Sequence, residues 1–282
     1  MRLQTHFKLF KQVAVIGEPA RFINTVDVGL IFMNLRSDDR LMLGGSYPFL
    51  GEQWKTAAKR WYEGARKAAV RAGFTPEQVY WFPFDEMRDK EIDQFLALAK
   101  WARSEIPGVR FYATLGSKNS EKALPFLDVA QIANDDRVLG MFKAGNAEKW
   151  IYDTKAPAKS QSPYSYYRLL SWKAFLKGYT GIGFWAYADA GWGDNPGSAW
   201  DDFDGRRPDY AVIYEGEGNS IISSRRWEAL RMGIEDYELL AMYAKVKGDA
   251  AAKALAKSVL DYPQDTAKAD VVRRKILLEL SR

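Results

Sequence analysis

Hydrophobic and polar positions follow two different periods along the first half of the chain. Residues 26–35 form a predominantly apolar run, which is typical of a buried strand. Apolar residues then recur at helical spacing over 52–72, and a short β-branched and aromatic run at 79–84 predicts a second strand. A second amphipathic helix is predicted over 89–105 and a third strand over 109–115. The expected order is therefore strand, helix, strand, helix, strand.

The second half of the chain continues this alternation. Its predicted strands are 138–142, 149–152, 180–188 and 210–214, and its predicted helices are 164–177, 227–244 and two more within 249–281. The connection over 189–209 is long and contains Trp192, Trp200 and a run rich in Asp. Loops of that length inside a compact domain are usually functional.

Alternating strands and helices imply a parallel sheet covered by helices, so the predicted fold class is α/β. A TIM-like (β/α)8 barrel takes about 250 residues, which fits the 282 residues of this chain. Six or seven of the eight strands of such a barrel can be counted. The barrel therefore either lacks strands at its N-terminal side or is complete with a strand that the pattern does not reveal. We expect a catalytic barrel domain over 1–248 and a C-terminal helical extension, 249–282, packed on the barrel.

The composition excludes several kinds of chemistry. The chain has no cysteine and one histidine, His6, so thiol catalysis is excluded, as is every Ser-His-Asp arrangement except one built on His6. A net charge of +5 is too small for a dedicated nucleic-acid binder unless the charge is concentrated on one face. No stretch approaches the about 18 apolar residues that a membrane span requires. Carboxylates, tyrosines and lysines must carry any chemistry.

The pair Asp85-Glu86 is the main candidate for catalysis, because it directly follows the predicted strand 79–84. In barrels the reacting groups lie at the C-terminal ends of the strands. A general acid needs a carboxyl whose pKa is raised, which the aromatic residues of the strand and a neighbouring carboxylate could provide. Both side chains can serve one pocket only if the backbone leaves extended geometry at Asp85. The alternative is that Asp85 or Asp89 caps the following helix.

Aromatic residues are abundant, with 10 Trp, 15 Tyr and 15 Phe. Several fall at or just beyond predicted strand ends, and we expect six of them to bind substrate: Trp150, Tyr152, Trp185, Tyr187, Trp192 and Tyr214. Taken alone, each of these residues is better explained as part of the barrel core than as a binding residue. Together they favour a ligand cleft in which the apolar faces of sugars stack on aromatic rings.

Three groups of residues follow the pattern of a known family. They are Trp81-Phe-Pro-Phe-Asp-Glu86 with the helix and strand after it, the segments Trp150-Ile-Tyr152, Arg168 with Trp172 and Gly181-Ile-Gly-Phe-Trp-Ala186, and a longer match from Tyr214-Glu-Gly216 through Ser223 to Leu240. This pattern resembles the catalytic domain of glycoside hydrolase family 123 over roughly residues 52 to 245. Met87 and Glu215 depart from it, since each stands where the family has proline.

The resemblance implies a TIM-like barrel with retaining β-N-acetylgalactosaminidase activity. By this resemblance Glu86 protonates the leaving oxygen and later activates water, while Asp85 orients and stabilises the 2-acetamido group of the substrate. The carbonyl oxygen of that group attacks the anomeric carbon, so no protein nucleophile is needed. The two departures leave the sugar specificity more open than the reaction class.

Charged residues are dense in the last part of the match. We expect Ser223, Arg225, Glu228, Arg231 and Asp236 to form an ion-pair network that fixes the helix over 227–244 to the barrel. The alternative is that Arg225 reaches the substrate.

The expected partner is an oligosaccharide or glycoconjugate substrate, with no cofactor and no metal. The run Asp201-Asp-Phe-Asp-Gly205 starts like a calcium loop, but Arg206 and Arg207 stand where ligands are required. The opening residues are too polar for the apolar centre of a signal peptide, while the family resemblance suggests an extracellular or periplasmic protein. Two alternatives stay open: a non-catalytic carbohydrate-binding or divergent barrel module, and a hydrolase of another glycan that uses Asp85-Glu86 differently.

Overall fold

A computed structural model gives the fold of this chain. The residues it describes are 14–16, 40–42, 46–71, 73–84, 86–87, 89–142, 145–155, 158–185, 187, 198–200, 210–218 and 220–281. The strand predicted at 26–35, most of the loop 189–209, and the candidate residues Asp85 and Trp192 lie outside these ranges.

The chain divides into two compact units, Met1–Lys149 and Trp150–Arg282. The first contains β1 (Ala14–Ile16), β2 (Arg40–Met42), β3 (Ser46–Pro48), α1 (Glu52–Arg71), β4 (Val79–Trp81), α2 (Asp89–Glu105), β5 (Tyr112–Leu115), β6 (Val129–Ala133), α3 (Asp136–Met141) and the start of β7 (Glu148–Asp153). The second contains the rest of β7, a π-helix (Pro163–Arg168), α4 (Leu169–Lys177), β8 (Gly181–Phe184), β9 (Tyr214–Glu215), β10 (Ile221–Ile222), α5 (Arg225–Lys247), α6 (Asp249–Leu260) and α7 (Lys268–Leu280). The domain division at 248/249 stays a prediction.

Parallel strands form the centre of the first unit. β1 pairs with β4 in the register Ala14 to Val79, and β5 pairs with β6 in the register Tyr112 to Val129. Helix α1, predicted over 52–72, covers this layer with a buried face that includes Trp54, Ala58 and Tyr62, which recur four residues apart. The ring of Trp81 lies between Tyr62 and Phe111, with ring centroids 5.1 and 5.9 Å away.

In the second unit, β7 and β8 pair in parallel, with Trp150 opposite Gly181 and Asp153 opposite Phe184. Trp150 is buried, and a Cβ at Gly181 would collide with its indole ring. Glycine is therefore required at 181 because the Trp150 ring occupies the space above it. Trp150 packs as a core residue.

In sheet order, β5, β6, β7 and β8 follow one another as a parallel sheet of four strands. The chain therefore has an α/β fold, as the alternation of patterns predicts. The described strands do not close a barrel: β1 pairs with β4, a single parallel bridge from Trp81 to Phe111 links β4 to the start of β5, and β9 and β10 form a separate antiparallel pair.

Two predicted strands are wrong. Residues 138–142 lie mostly in helix α3, because Asp135 caps its first turn: its side chain accepts the Val138 N–H at 3.2 Å. The strand expected over 210–214 is reduced to Tyr214–Glu215, and Val212 N–H donates instead to Tyr187 O at 3.1 Å. Strand β6 was not predicted, because Gln131 interrupts its apolar run; the Gln131 amide donates to Thr114 Oγ1 at 3.2 Å.

Helices α4 to α7 share one apolar core. Trp172 and Phe175 of α4 pack there with Leu240 of α5, Val259 of α6 and Ile276 of α7. This confirms the helices predicted at 227–244 and within 249–281. No helix within the described ranges is both long enough and apolar enough to cross a membrane.

Candidate functional site

Glu86 lies in the short connection after β4, between two buried residues. Phe84 and Met87 are buried, whereas Glu86 is exposed. The backbone at Glu86 has φ +45°, in the left-handed region that residues other than glycine seldom adopt. Such conformations cost about 1–3 kcal/mol and cluster at functional sites. The strand predicted over 79–84 ends at Trp81, and the backbone leaves extended geometry at Glu86, whose side chain is exposed.

The aromatic rings around this connection pack inside the first unit. Phe82 meets Tyr112 edge-on, with centroids 5.1 Å apart, and Phe84 meets Phe49 edge-on at 6.3 Å. Both rings were expected to give the Glu86 carboxyl apolar surroundings. In the part of the chain that the structure describes, they fill the core and leave Glu86 exposed.

A second pair of groups lies at the carboxyl end of β7, in the second unit. Asp153 is buried, and its Oδ1 accepts a hydrogen bond from the Tyr166 hydroxyl at 2.6 Å. The Lys155 N–H donates to the same hydroxyl at 2.8 Å. Burial and the Asp153 carboxylate together raise the pKa of Tyr166, so this phenol stays protonated and donates to Asp153.

The π-helix Pro163–Arg168 positions Tyr166. Ser162 caps it by accepting the Ser165 N–H at 3.1 Å, and Pro163 occupies its first turn, where no N–H is needed. Single π-turns of this kind occur frequently at functional sites. The rings of Tyr166 and Tyr167 meet at right angles, with centroids 4.8 Å apart. Burial raises the pKa of Tyr167 to about 12, and the Arg226 guanidinium opposes that rise.

Tyr214, one of the predicted substrate-binding residues, is held between two neighbours. Its hydroxyl accepts a hydrogen bond from Arg226 Nη2 at 2.6 Å. Its ring stacks on the indole of Trp200, with centroids 4.4 Å apart and planes 28° apart. Tyr214 is therefore fixed at both its polar and its apolar part, as expected for a residue that presents a rigid surface.

The other predicted aromatic residues divide into two groups. Trp150 is a core residue and Tyr152 is half-buried in β7. Trp185 and Tyr187 are half-buried just after β8, where Tyr187 packs edge-on against Trp227 at 4.8 Å. The structure thus places Trp185 and Tyr187 in the connection after β8, and Tyr214 at the start of β9, all in the second unit.

A cavity of about 540 Å³ opens in the first unit. It is lined by residues that precede or begin β5, β6 and β7, including Arg110, Asp128 and Glu148. Arg110 Nε lies 3.6 Å from Asp128 Oδ1, so these two charges compensate each other. Glu86 follows the carboxyl end of β4, whereas the cavity lies at the amino ends of strands. Because reacting groups in parallel α/β folds lie at carboxyl ends, we assign the cavity no catalytic role.

Sequence reasoning missed Asp153, Tyr166 and Arg226. A signal for Asp153 was available, because it directly follows the strand predicted at 149–152, just as Asp85 and Glu86 follow another strand. Tyr166 and Arg226 gave no comparable signal, since their partners are set by the fold. Among the residues the structure describes, no group of three or more His, Cys, Asp or Glu could hold a metal ion.

The architecture belongs to the class of α/β folds built on consecutive parallel strands. Among solved structures, it is similar to a family 123 glycoside hydrolase from Clostridium perfringens that was analysed for glycolipid glycan hydrolysis. The TM-score is 0.51 at 13% sequence identity, and the match covers 81% of this chain and 47% of that chain. This likeness supports, at the level of the fold, the family resemblance that the motifs indicate.

The present chain thus spans about half the length of that glycoside hydrolase. No protein-family model and no curated protein matches the chain.

Proposed function

We propose that this protein is a glycosidase that hydrolyses β-linked 2-acetamido-2-deoxy sugars, with N-acetylgalactosaminides as the preferred class. The observation that carries the proposal is the backbone of Glu86, which has φ +45° in the connection that follows the parallel strand β4. The fold likeness to a glycoside hydrolase supports the same reaction class. A TIM-like barrel, either complete or lacking strands at its N-terminal side, and a retaining outcome are part of this proposal.

In the proposed mechanism, the substrate supplies its own nucleophile. The carbonyl oxygen of the 2-acetamido group bonds to the anomeric carbon as the glycosidic C–O bond breaks, and Glu86 gives its proton to the leaving oxygen. Asp85 stabilises the positive charge on the resulting oxazolinium ring. The Glu86 carboxylate then takes a proton from water, whose oxygen attacks the anomeric carbon and reopens the ring. Two inversions at one carbon give net retention.

The second unit supplies the candidates for sugar binding. Tyr214, Trp185 and Tyr187 are proposed as binding residues because they lie at or beyond strand ends and are only half-buried. Tyr152 and Trp192 stay in the proposal as sequence-based candidates. Trp150 stays with them but is the weakest of the six, because its ring packs against Gly181 in the core.

Turnover of aryl glycosides by Glu86→Gln tests the proposal. We expect the wild type to cleave the aryl β-N-acetylgalactosaminide and not the matching galactoside, because a 2-hydroxyl cannot replace the acetamido oxygen. Intramolecular attack of this kind corresponds to an effective molarity of order 10⁵ M or more. Glu86→Gln should lower turnover by about 100-fold or more, since it removes the positioned proton donor.

Glu105→Gln is the matched control, because Glu105 is an exposed glutamate at the end of α2. It should turn over like the wild type. A thiazoline analogue of the sugar, which mimics the cyclic intermediate, should inhibit the enzyme. Equal rates on the galactoside and the N-acetylgalactosaminide, without thiazoline inhibition, would contradict substrate assistance.

A second candidate function is non-catalytic carbohydrate binding. The exposure of Glu86 favours it, because the described residues give this carboxyl none of the apolar surroundings that a general acid uses. Sugar binding without turnover of any N-acetylhexosaminide would support this second function.

A further inference from the structure

Trp200 is exposed but held in a fixed position. The residue is 57% exposed, which is unusual for the largest apolar side chain. One face of its indole stacks on Tyr214 at 4.4 Å, and its Nε1–H donates to Glu215 O at 2.9 Å. Because one face is covered and the ring nitrogen is bonded, the exposed area belongs mainly to the opposite face and the free edge.

The support beneath Trp200 is itself well bonded. Both carboxylate oxygens of Glu215 lie 3.0 Å from the Ala199 N–H, which fixes the backbone next to Trp200. Lys159 Nζ donates to Trp200 O at 3.4 Å and lies 5.9 Å from the centroid of the Tyr214 ring. Arg226 holds the Tyr214 hydroxyl from the other side. The indole face is therefore preorganised, and a ligand that stacks on it orders little that is not already ordered.

The chemistry around the ring favours a neutral, hydroxyl-rich ligand. An aromatic face packs well against the C–H face of a pyranose, and the rim groups can bond to hydroxyls: Lys159 as donor and Glu215 as acceptor. A nucleic acid is disfavoured, because its affinity depends on several cationic contacts to phosphates, whereas this surface combines Lys159 and Arg226 with the opposing Glu215 carboxylate. A docked protein would require a much larger apolar area than the indole, Tyr214 and the exposed Ile221 and Ile222 of the paired strand β10 offer together.

We propose that the exposed indole face of Trp200, backed by Tyr214, is a stacking surface for one pyranose ring of a glycan. The proposal takes its substrate class from the proposed function but depends on no catalytic residue. It adds Trp200, Lys159 and Glu215 to the sugar-binding residues and gives Tyr214 the role of supporting the ring.

Calorimetric binding of a tetrasaccharide that ends in β-linked N-acetylgalactosamine tests this surface. Trp200→Ala should weaken binding about tenfold or more, because it removes the stacking face. Trp200→Phe keeps a ring on Tyr214 and should bind within about threefold of the wild type. Tyr262→Ala is the matched control: Tyr262 is 61% exposed and has Lys268 Nζ 5.1 Å from its ring centroid, and its removal should leave affinity unchanged.

Three outcomes would overturn the proposal: Trp200→Ala binding like the wild type, Trp200→Phe and Trp200→Ala losing affinity equally, or a wild type that does not bind the tetrasaccharide. Turnover of the aryl glycoside is measured separately, so the two proposals can fail independently. If the protein turns over the aryl glycoside and Trp200→Ala binds the tetrasaccharide with unchanged affinity, the stacking surface is contradicted and the glycosidase is supported. Trp200-dependent binding without any turnover would support the surface and contradict the glycosidase.

Discussion

At the scale of single residues, the contact between Asp153 and Tyr166 joins a buried carboxylate to a half-buried phenol. A buried carboxylate is expensive unless hydrogen bonds satisfy its oxygens, and a buried phenol resists ionisation for the same reason. The 2.6 Å bond satisfies an oxygen of the Asp153 carboxylate and further disfavours loss of the Tyr166 proton, and Lys155 N–H approaches Asp153 Oδ1 at 3.3 Å. The phenol therefore stays neutral and acts as a permanent donor.

Tyr166→Phe tests this contact. It removes one hydroxyl and leaves the ring, so the buried Asp153 loses its shortest described donor. Hydrogen bonds to charged groups are worth about 1.5–3 kcal/mol, so the free energy of unfolding should fall by about that amount. Chemical denaturation measures it, with Tyr262→Phe as the control, since the exposed hydroxyl of Tyr262 can bond to water. Equal unfolding free energies in Tyr166→Phe and the wild type would show that the bond contributes nothing.

At the scale of elements, helix α5 and the π-helix are locked together by two features. A Cβ at Gly233 would collide with Arg168 O, so glycine lets the two backbones approach closely. Asp236 lies three residues after Gly233 on α5 and is buried. Its carboxylate accepts hydrogen bonds from Arg168 Nε at 2.7 Å and from Arg273 Nη1 at 2.9 Å. Trp172 Nε1 donates to the same carboxylate at 3.0 Å.

The structure contains an ion-pair network around α5, as predicted for the last motif, but with a different membership; that this network fixes α5 to a barrel stays a prediction. Asp236 is its centre, and Glu228 accepts hydrogen bonds from Ser223 and Arg231 at 2.5 and 2.8 Å. Arg225 is exposed and makes no ion pair with the described residues. Arg168 and Arg273 take its place, and they could not be assigned from the helix alone because they lie on other elements.

Gly233→Ala tests the close approach. The added methyl group forces α5 away from the π-helix, and overpacking of this kind costs about 1–3 kcal/mol. Gly64→Ala is the matched control, since Gly64 lies in α1 and an added Cβ would meet no other part of the described chain within 4 Å. The control should gain about 0.5–1 kcal/mol, because alanine is the better helix former. The melting temperature should thus fall in Gly233→Ala and rise in Gly64→Ala. A shift in the same direction in both variants would contradict the packing argument.

The sequence predicted elements wherever pattern and length agreed. Helix α1 and the helices at 227–244 and within 249–281 were found because their apolar positions repeat over several turns. The errors fell on short runs, where an apolar segment such as 138–142 fits a strand or a helix equally well and the capping bond from Asp135 decides. Strand β6 was hidden for a related reason: Gln131 looks solvent-facing until its partner Thr114 is known.

At the scale of the whole molecule, the parts of the candidate site differed in how far the sequence could reveal them. Glu86 was proposed from its position alone, because a polar pair after a predicted strand can be recognised without knowledge of distant contacts. The exposed Trp200 surface depends on residues far away in the chain, Lys159 and Tyr214, that no local pattern connects. Local chemistry can therefore be predicted from the sequence, whereas support from other elements cannot.

The distribution of buried phenols also sets how the whole molecule responds to alkali. Burial raises the pKa of Tyr62, Tyr80 and Tyr167 to about 12, so these phenols stay protonated at pH values where the unfolded chain has lost its phenolic protons. Below pH about 10 both states are protonated and the free energy of unfolding does not depend on them. Between about 10 and 12 the folded state holds more protons than the unfolded state, so stability falls as the pH rises.

Urea denaturation at pH 9, 10 and 11 checks this prediction. Each such group lowers the free energy of unfolding by up to about 1.4 kcal/mol per pH unit within that window. Tyr62→Phe removes one of these phenols from the protein interior. The wild type should lose stability more steeply than Tyr62→Phe above pH 10, and the two curves should run parallel below it. The same steepness in both proteins would show that the Tyr62 phenol ionises without unfolding and does not contribute to the alkaline limit.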